Sequence, residues 1–321
     1  MSRRAIISDI HSNLVALEAV LADIKGQDVD EIVCLGDVCG YGPQPMECID
    51  LVRRNAAWTL RGNHDEALFV EPKDFGKNAR IAIEWQKTFL EPKPGSTPEI
   101  ISRWHWLRDL PIQRGETDVL FVHASPRDPV YEYVLKEDFH DTGSGPTQKA
   151  KDIFAAMDWL CFCGHSHRPG VVAEDFKWRL PEDLPNGYIV SRGFKTIVNV
   201  GSVGQPRDGI STACYCIFEY SPPDHNSTTR IAKAVSPAAD TSATRTAISI
   251  EERSMLADQP SAANEETRSG EELKQVRDTA LLKMPRVRFR RVEYDIAEAQ
   301  ARSRAVPQLP ETNALRLAKG V

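Results

Sequence analysis

An α/β protein is predicted, on three observations. Short apolar runs of strand length recur along the chain, and segments with apolar residues at helical spacing separate them. Several of the runs end in clusters of Gly, Asp, Asn and His. Alternation of strand, loop, helix and strand is the arrangement of a sheet that carries helices on its faces. Polar side chains at strand ends are how such a fold gathers distant parts of a chain into one cleft.

The elements follow in order. Ala5-Ile6-Ile7 reads as a short buried strand. Leu14, Leu17, Leu21 and Ile24 then recur at helical spacing, with Ser12 or Asn13 as N-cap. Glu31 to Leu35 is the second strand, Pro45 to Arg54 a helix, and Trp58-Thr59-Leu60 the third strand. Lys77 to Leu90 reads as a helix, and Trp104-His105-Trp106-Leu107 as a packed turn before Pro111. This stretch carries no motif and is expected to shape one wall of the cleft. Val119 to Val122 is a strand, Thr147 to Met157 a helix, and Trp159 to Cys163 a strand. Thr196 to Val200 and Cys214 to Glu219 are expected as strands of a second sheet, and strand pattern returns over Val287 to Tyr294.

Composition sets bounds. The chain has 321 residues, 41% hydrophobic and 27% charged, which suffices for a sizeable core. Its net charge is −6 and no Lys/Arg cluster stands out, which argues against a partner of duplex nucleic acid. No apolar run approaches the length of a membrane span. The run after Ser2-Arg3-Arg4 is too short for a signal-peptide core, so a cytoplasmic protein is expected. The seven cysteines are odd in number and fit reduced thiols. Cys161/Cys163 and Cys214/Cys216 would each share one face of a strand; they read as small apolar fillers rather than a zinc site.

Residues 221–285 differ from the rest. No Phe, Trp or Tyr occurs there, and Ser, Thr, Ala, Pro and charged residues dominate its first part. Such a segment buries too little apolar surface to offset an ordering entropy of about 1–2 kcal/mol per residue. It is expected to be a largely disordered insertion. A helix is expected within it over 271–284, with Ser269 and Glu272 as a capping box.

Five motifs carry chemistry, each after an apolar run: Asp9-Ile10-His11, Gly36-Asp37-Val38-Cys39-Gly40, Gly62-Asn63-His64-Asp65, His123-Ala124-Ser125-Pro126 and Gly164-His165-Ser166-His167. Asp, Asn and His together suit borderline and hard divalent ions such as Mn, Fe, Zn, Ni or Mg. The donors exceed what one tetrahedral ion needs and suit two ions that share a carboxylate. Asp37 is the candidate bridge, because Gly36 and Gly40 allow a tight turn around it. His105, His140 and His225 lie outside the motifs and read as structural. Gly201-Ser202-Val203-Gly204 lacks the lysine of a phosphate loop and reads as a turn behind the site.

The set resembles the signature of the calcineurin-like metallophosphoesterase superfamily: D-x-H, G-D-x-x-G, G-N-H-D, a lone His, and G-H-x-H. All five blocks stand in order with every ligand position filled. Asn199 to Gly209 resembles the N-P-G-S-V-G-Q-P-R-D-G block of that superfamily's small bacterial branch, with Val200 where Pro is usual. The resemblance covers roughly residues 3–220 and 286–319. It implies two packed mixed β-sheets flanked by helices. It implies a catalytic domain of residues 1–220 plus 286–321, interrupted at a hairpin turn by residues 221–285.

The resemblance also implies roles. Asp9, His11 and His167 would bind one metal, Asn63, His123 and His165 a second, and Asp37 would bridge both. Manganese is the favoured ion. His64 would donate a proton or hydrogen bond to substrate, with Asp65 holding its imidazole. Arg61 and Arg207 could reach phosphate oxygens. The implied activity is hydrolysis of a small phosphomonoester or phosphodiester by a hydroxide activated between the metals. The alternative is a regulatory or scaffold protein of the same fold, acting through its insertion. Nothing in the sequence speaks to oligomeric state.

Overall fold

Alternating side-chain direction along the buried strands builds the layers. In β1 (Ser2–Ile7), Ile6 points one way and Ala5 and Ile7 the other; in β2 (Glu31–Cys34), Val33 and Cys34 divide in the same manner. Side chains of successive strand residues face opposite sides, so each strand feeds two cores. The computed structural model describes residues 1–71, 75–139, 145–221 and 284–321.

Two mixed sheets result. The six-stranded sheet runs β3-β2-β1-β10-β11-β8, with β3 at Ala56–Thr59, β8 at Tyr188–Ile189, β10 at Ala213–Tyr220 and β11 at Arg286–Val292. The five-stranded sheet runs β4-β5-β6-β9-β7, with β4 at Gln113–Glu116, β5 at Val119–Val122, β6 at Leu160–Cys163, β7 at Gly170–Ala173 and β9 at Thr196–Asn199. β1, β2 and β3 are parallel, as are β5, β6 and β9.

Three cores fill the spaces. Ile6, Val33, Leu35 and Leu60 meet Phe121, Leu160, Phe162 and Val198 between the sheets. Phe121 and Phe162 stack with centroids 5.4 Å apart, and both are fully buried. Each such side chain contributes on the order of 1.5–3 kcal/mol. Outside the first sheet, Ala5, Ile7 and Cys34 pack with α1 (Leu14–Lys25) and α2 (Pro45–Asn55). Outside the second, Val122, Cys161 and Cys163 pack with α6 (Gln148–Ala155). The order helix, sheet, sheet, helix is the implied architecture. All seven cysteines are buried and unpaired. Cys161 and Cys163 act as packing under α6.

Helix starts follow their local signals. The Asn13 side chain accepts from the Ala16 N–H at the start of α1, and Thr147 accepts from Ala150 at the start of α6. Between these lie α3 (Asn63–Glu66), α4 (Lys77–Leu90) and α5 (Pro98–Arg108). The chain closes with α7 (Ile296–Arg304) and α8 (Glu311–Lys319). Among the described residues no helix is long and apolar enough to cross a membrane.

Two expectations are corrected. Trp104 to Leu107 is the end of α5, not a turn. Pro98 at its first turn starts a helix that buries Leu107, so the aromatics mark a packed face. Thr196–Val200 and Cys214–Glu219 do not share a sheet. β9 pairs with β6, whereas β10 pairs with β1. The turn from Gly201 to Gly204 carries the chain between sheets: Val203 and Gly204 N–H groups donate to the Ser8 and Asp9 carbonyls.

β10 and β11 form an antiparallel pair that reaches Glu219↔Arg286. The inserted residues 222–283 therefore join adjacent strand ends. The expected disorder of the insertion, its helix, and His140 and His225 lie outside the described residues.

Candidate metal centre

Parallel strands of both sheets end at one place. β1 delivers Asp9 and His11, β2 delivers Asp37, and β3 delivers Asn63 and His64. β5 delivers His123, and β6 delivers His165 and His167. All eight side chains are buried. Donor atoms fall into two groups, Asp9, His11, Asp37 and His167, and Asp37, His123 and His165, each within 4.8 Å. Asp37 belongs to both. The Asn63 Oδ1 adds to the second group, 3.1 Å from His123 Nε2.

The imidazoles are oriented from behind. Nδ1 of His11 donates to the Cys39 carbonyl at 3.0 Å, and Nδ1 of His123 to Leu35 at 3.1 Å. Nδ1 of His167 donates to the Gln205 carbonyl. His165 uses Nε2, which donates to the Tyr131 carbonyl at 3.0 Å. A carbonyl only accepts, so each neutral ring turns a bare lone pair inward. There Nε2 of His11 and Nε2 of His167 stand 3.0 Å apart. His123 Nε2 faces Asp37 Oδ2 at 3.5 Å, and Asp9 Oδ1 is buried without a hydrogen-bond partner. Acceptors that converge without a donor repel one another unless a cation or proton stands between them. This donor set fits two divalent ions.

Electrostatics among the protein groups alone agree. Burial disfavours the ionised form of Asp9 and of Asp37, yet His167 and His123 hold these carboxyls below the ordinary range. Burial likewise works against a charged His123, but the Asp37 carboxylate lifts it to about 9. Burial takes His165 down to about 3, helped by His123, and pushes His11 well below its usual value. One proton on His123 thus plays part of the role that a cation would fill.

The turns that hold these groups are strained. Asp9, His11, Asp37, His165 and His167 all adopt positive φ, from 49° to 62°. This left-handed region costs an L-residue roughly 1–2 kcal/mol. Gly36 and Gly40 flank Asp37 at φ 107° and 97°, as the tight turn requires. A Cβ on Gly62 would lie 2.1 Å from Asp37 Oδ1. The Ser202 hydroxyl donates to the Asp9 carbonyl at 2.8 Å, which fixes the first turn from behind.

One expected contact is absent. Asp65 does not hold the imidazole of His64. Its carboxylate accepts from the backbone N–H groups of Cys39 and Gly62, at 3.0 and 3.1 Å, and from Val38 at 3.4 Å. Three N–H groups converge on Asp65 because the Asp37 turn and the start of α3 meet there. Asp65 therefore ties the Asp37 turn to Gly62 at the start of α3. His64 donates its backbone N–H to Asp37 Oδ1 at 2.8 Å, while its Nδ1 has no partner. Its ring packs edge-on to His11, 4.7 Å between centroids, and against Tyr41 at 4.6 Å. Burial, opposed by Asp37 and aided by Arg207, lowers His64 to about 4.

The arginines differ. Arg61 is committed to Glu66 at 2.9 Å and to the Arg108 carbonyl. Arg207 bonds Gln205 Oε1 at 2.8 Å and the Tyr41 hydroxyl at 3.2 Å, and its charge reaches His64 and His167. Gln86, buried on α4, was missed. Its Oε1 accepts from Gly40 N–H at 2.8 Å, and its Nε2 donates to Ser12 Oγ and to the Gly42 carbonyl. A fully buried Gln on the apolar face of α4 is the one signal that could have found it.

Comparisons with known proteins agree with this geometry. The family model described as the calcineurin-like phosphoesterase superfamily domain matches residues 3–222. The uncharacterized protein MJ0912 of Methanocaldococcus jannaschii is 40% identical over 222 residues, 67% of this chain and 82% of that protein. A metallophosphoesterase from Sphaerobacter thermophilus is 32% identical, with a TM-score of 0.64 over 100% of this chain and 99% of its own. The hypothetical protein PH1004 from Pyrococcus horikoshii shares the fold at 16% identity and a TM-score of 0.61, over 100% and 99% of the two chains.

Proposed function

We propose, from the premise that this chain belongs to the calcineurin-like phosphoesterase superfamily, that it hydrolyses small phosphate esters with two divalent ions, manganese being favoured. The observation that carries this reading is the convergence of the His11 and His167 lone pairs, 3.0 Å apart, with the unpartnered Asp9 Oδ1 and no protein donor between them. Asp9, His11 and His167 would hold one ion, Asn63, His123 and His165 the other, and Asp37 both. When bound, such a pair supplies Lewis acidity and lowers the pKa of water toward neutrality. Arg207, whose charge reaches His64, would bind a phosphate oxygen.

His64 would serve the leaving oxygen. Held near 4, its ring carries one proton at neutral pH and acts as a hydrogen-bond donor. An arriving phosphate dianion raises its proton affinity through charge and prepares it as a general acid. Asp65 would act through the Asp37 turn.

The reduced thiols favour a cytoplasmic setting. The negative net charge favours a small phosphorylated substrate over duplex nucleic acid. Residues 1–220 with 286–321 would form the catalytic domain. A short Gly/Ser turn in place of 222–283 should keep turnover of a small chromogenic ester within a few-fold; a folded but inactive deletion would show that the insertion helps build the site.

The decisive test is turnover of nitrophenyl phosphate and bis(nitrophenyl) phosphate by the purified, manganese-loaded protein. Turnover of either supports the hydrolytic reading and ranks the ester classes. Failure on both, with metal bound, would favour a regulatory or scaffold role.

A further inference from the structure

The C-terminal helix α8 lies beyond the matched family region, which ends at residue 222. It nevertheless reaches the metal centre. Asn313 on α8 donates to the Tyr41 carbonyl at 3.1 Å. One turn on, the Arg316 guanidinium carbon stands 5.8 Å from the centroid of the Tyr41 ring. The Arg207 guanidinium carbon stands 5.6 Å from the same centroid. That ring is 4.8 Å from His11 and 4.6 Å from His64. Two cations therefore share one aromatic ring at the edge of the site.

Neither cation has an acidic side-chain partner among the described residues. Arg207 is met by Gln205 Oε1 and the Tyr41 hydroxyl; Arg316 is met by the same hydroxyl and, through Nε at 2.7 Å, by the main-chain oxygen of Val321, the last residue of the sequence. Most other arginines near the core are paired, as Arg4 is with Glu31 and Glu116, and Arg291 with Asp208 and Glu182. Burial and the like charge of Arg207 hold Arg316 below its ordinary range, an arrangement that an anion would relieve. The two cations are not equivalent. Arg207 acts on His64 and His167, whereas the charged and phenolic groups acting on Arg316 are Arg207, Tyr41 and Tyr133. Arg207 is the inner cation and Arg316 the outer one.

We propose that Arg316, with Tyr41 and Arg207, forms a second anion subsite beside the metal centre, and that preferred substrates carry a further phosphate on the group that leaves. This rests on the phosphoesterase reading for the first phosphate only. A guanidinium fork matches phosphate geometry, and Tyr41 holds both forks at the cleft edge. Simple monoesters would leave Arg316 unused.

Calorimetry on the full-length, manganese-loaded protein tests it, with propylphosphonate and propylene-1,3-bisphosphonate as probes. The wild type should bind the bisphosphonate about tenfold tighter or more, as expected of charge-assisted hydrogen bonds. Arg316→Gln should remove that preference, and Arg316→Lys should retain part of it. Arg304→Gln, which breaks only the exposed pair with Glu311, should retain all of it. Equal wild-type affinities, a preference that survives in Arg316→Gln, or equal weakening of both probes would overturn the subsite. Turnover of nitrophenyl phosphate without any bisphosphonate preference would sink the subsite alone. A preference that depends on Arg316 in a protein that turns over no ester would sink the hydrolytic reading and leave the subsite standing.

Discussion

The two candidate metal positions share Asp37 but are built differently. The first, made by Asp9, His11, Asp37 and His167, has two carboxylates and is 0–1% exposed at every ligand. The second, made by Asn63, Asp37, His123 and His165, has one carboxylate and a neutral amide. It opens slightly, with Asn63 at 7% and His165 at 4%. Tyr133 lies flat on His165, 3.9 Å between centroids, and is 42% exposed. More ligand charge and deeper enclosure favour tight retention, whereas fewer charges leave an ion more electrophilic. On the proposed reading the first position would keep its ion and the second would face substrate.

The largest test strikes the shared ligand. Asp37→Ala should reduce bound manganese from near two equivalents to well under one and abolish ester turnover. His11→Ala should leave close to one equivalent, measured by elemental analysis. An Asp37 variant that still holds two ions would end the description of a bridged pair.

His64→Gln probes a group that belongs to neither position. Metal content should be unchanged. Alkyl esters, whose leaving oxygen needs a proton, should slow by about 10²–10⁴-fold, and nitrophenyl esters by far less. Equal losses on both classes would assign His64 to phosphate binding. Loss of an ion would place it among the ligands.

Asp65→Asn tests the support behind both positions. Because Asp65 accepts from Val38, Cys39 and Gly62 N–H groups, its loss should weaken metal affinity about 10–100-fold. If affinity holds and only alkyl-ester turnover falls, Asp65 serves His64 after all.

Acidity should separate the positions more gently. With no ion bound, burial disfavours charge on His123 but Asp37 raises it to about 9, so a proton competes with the second ion below that pH. Affinity there should rise by roughly tenfold per pH unit and level off near 9, as one-proton linkage requires. At the first position burial already keeps His11 and His167 neutral, so its affinity should change much less. Parallel pH dependence of the two binding steps would erase the distinction. The smallest effect is expected of Arg61→Gln: with Arg61 tied to Glu66 and the Arg108 carbonyl, KM should move by about threefold at most.

What the sequence disclosed was local. Asp9, His11, Asp37, His123, His165 and His167 follow apolar runs directly, so pattern alone placed them at strand ends; the βαβ rhythm implied a sheet with helices on its faces, and the family resemblance implied the two packed sheets. What it hid depends on contacts between distant segments. Gln86 reaches the Gly40 turn from α4, Asp65 binds backbone N–H groups that carry no sequence identity, and Arg316 arrives from the far end of the chain. The division of β9 and β10 between sheets was equally hidden, because both are short apolar strands and only the turn between them decides.

The five left-handed candidate ligands carry a last consequence, for how such a protein can drift. Each would be more comfortable as Gly or Asn, which visit positive φ at little cost. A chain released from metal chemistry could therefore relieve strain at His11, His165 or His167 by the very substitutions that silence it, whereas Asp9 and Asp37 also accept the His165 and His64 backbone N–H groups and would leave these unpaired. His11→Gly, compared with the wild type after chelation, should melt no lower, although it forfeits an ion. On the proposed reading, loss of the histidine ligands would cost the fold little, because the strain they store is released with them.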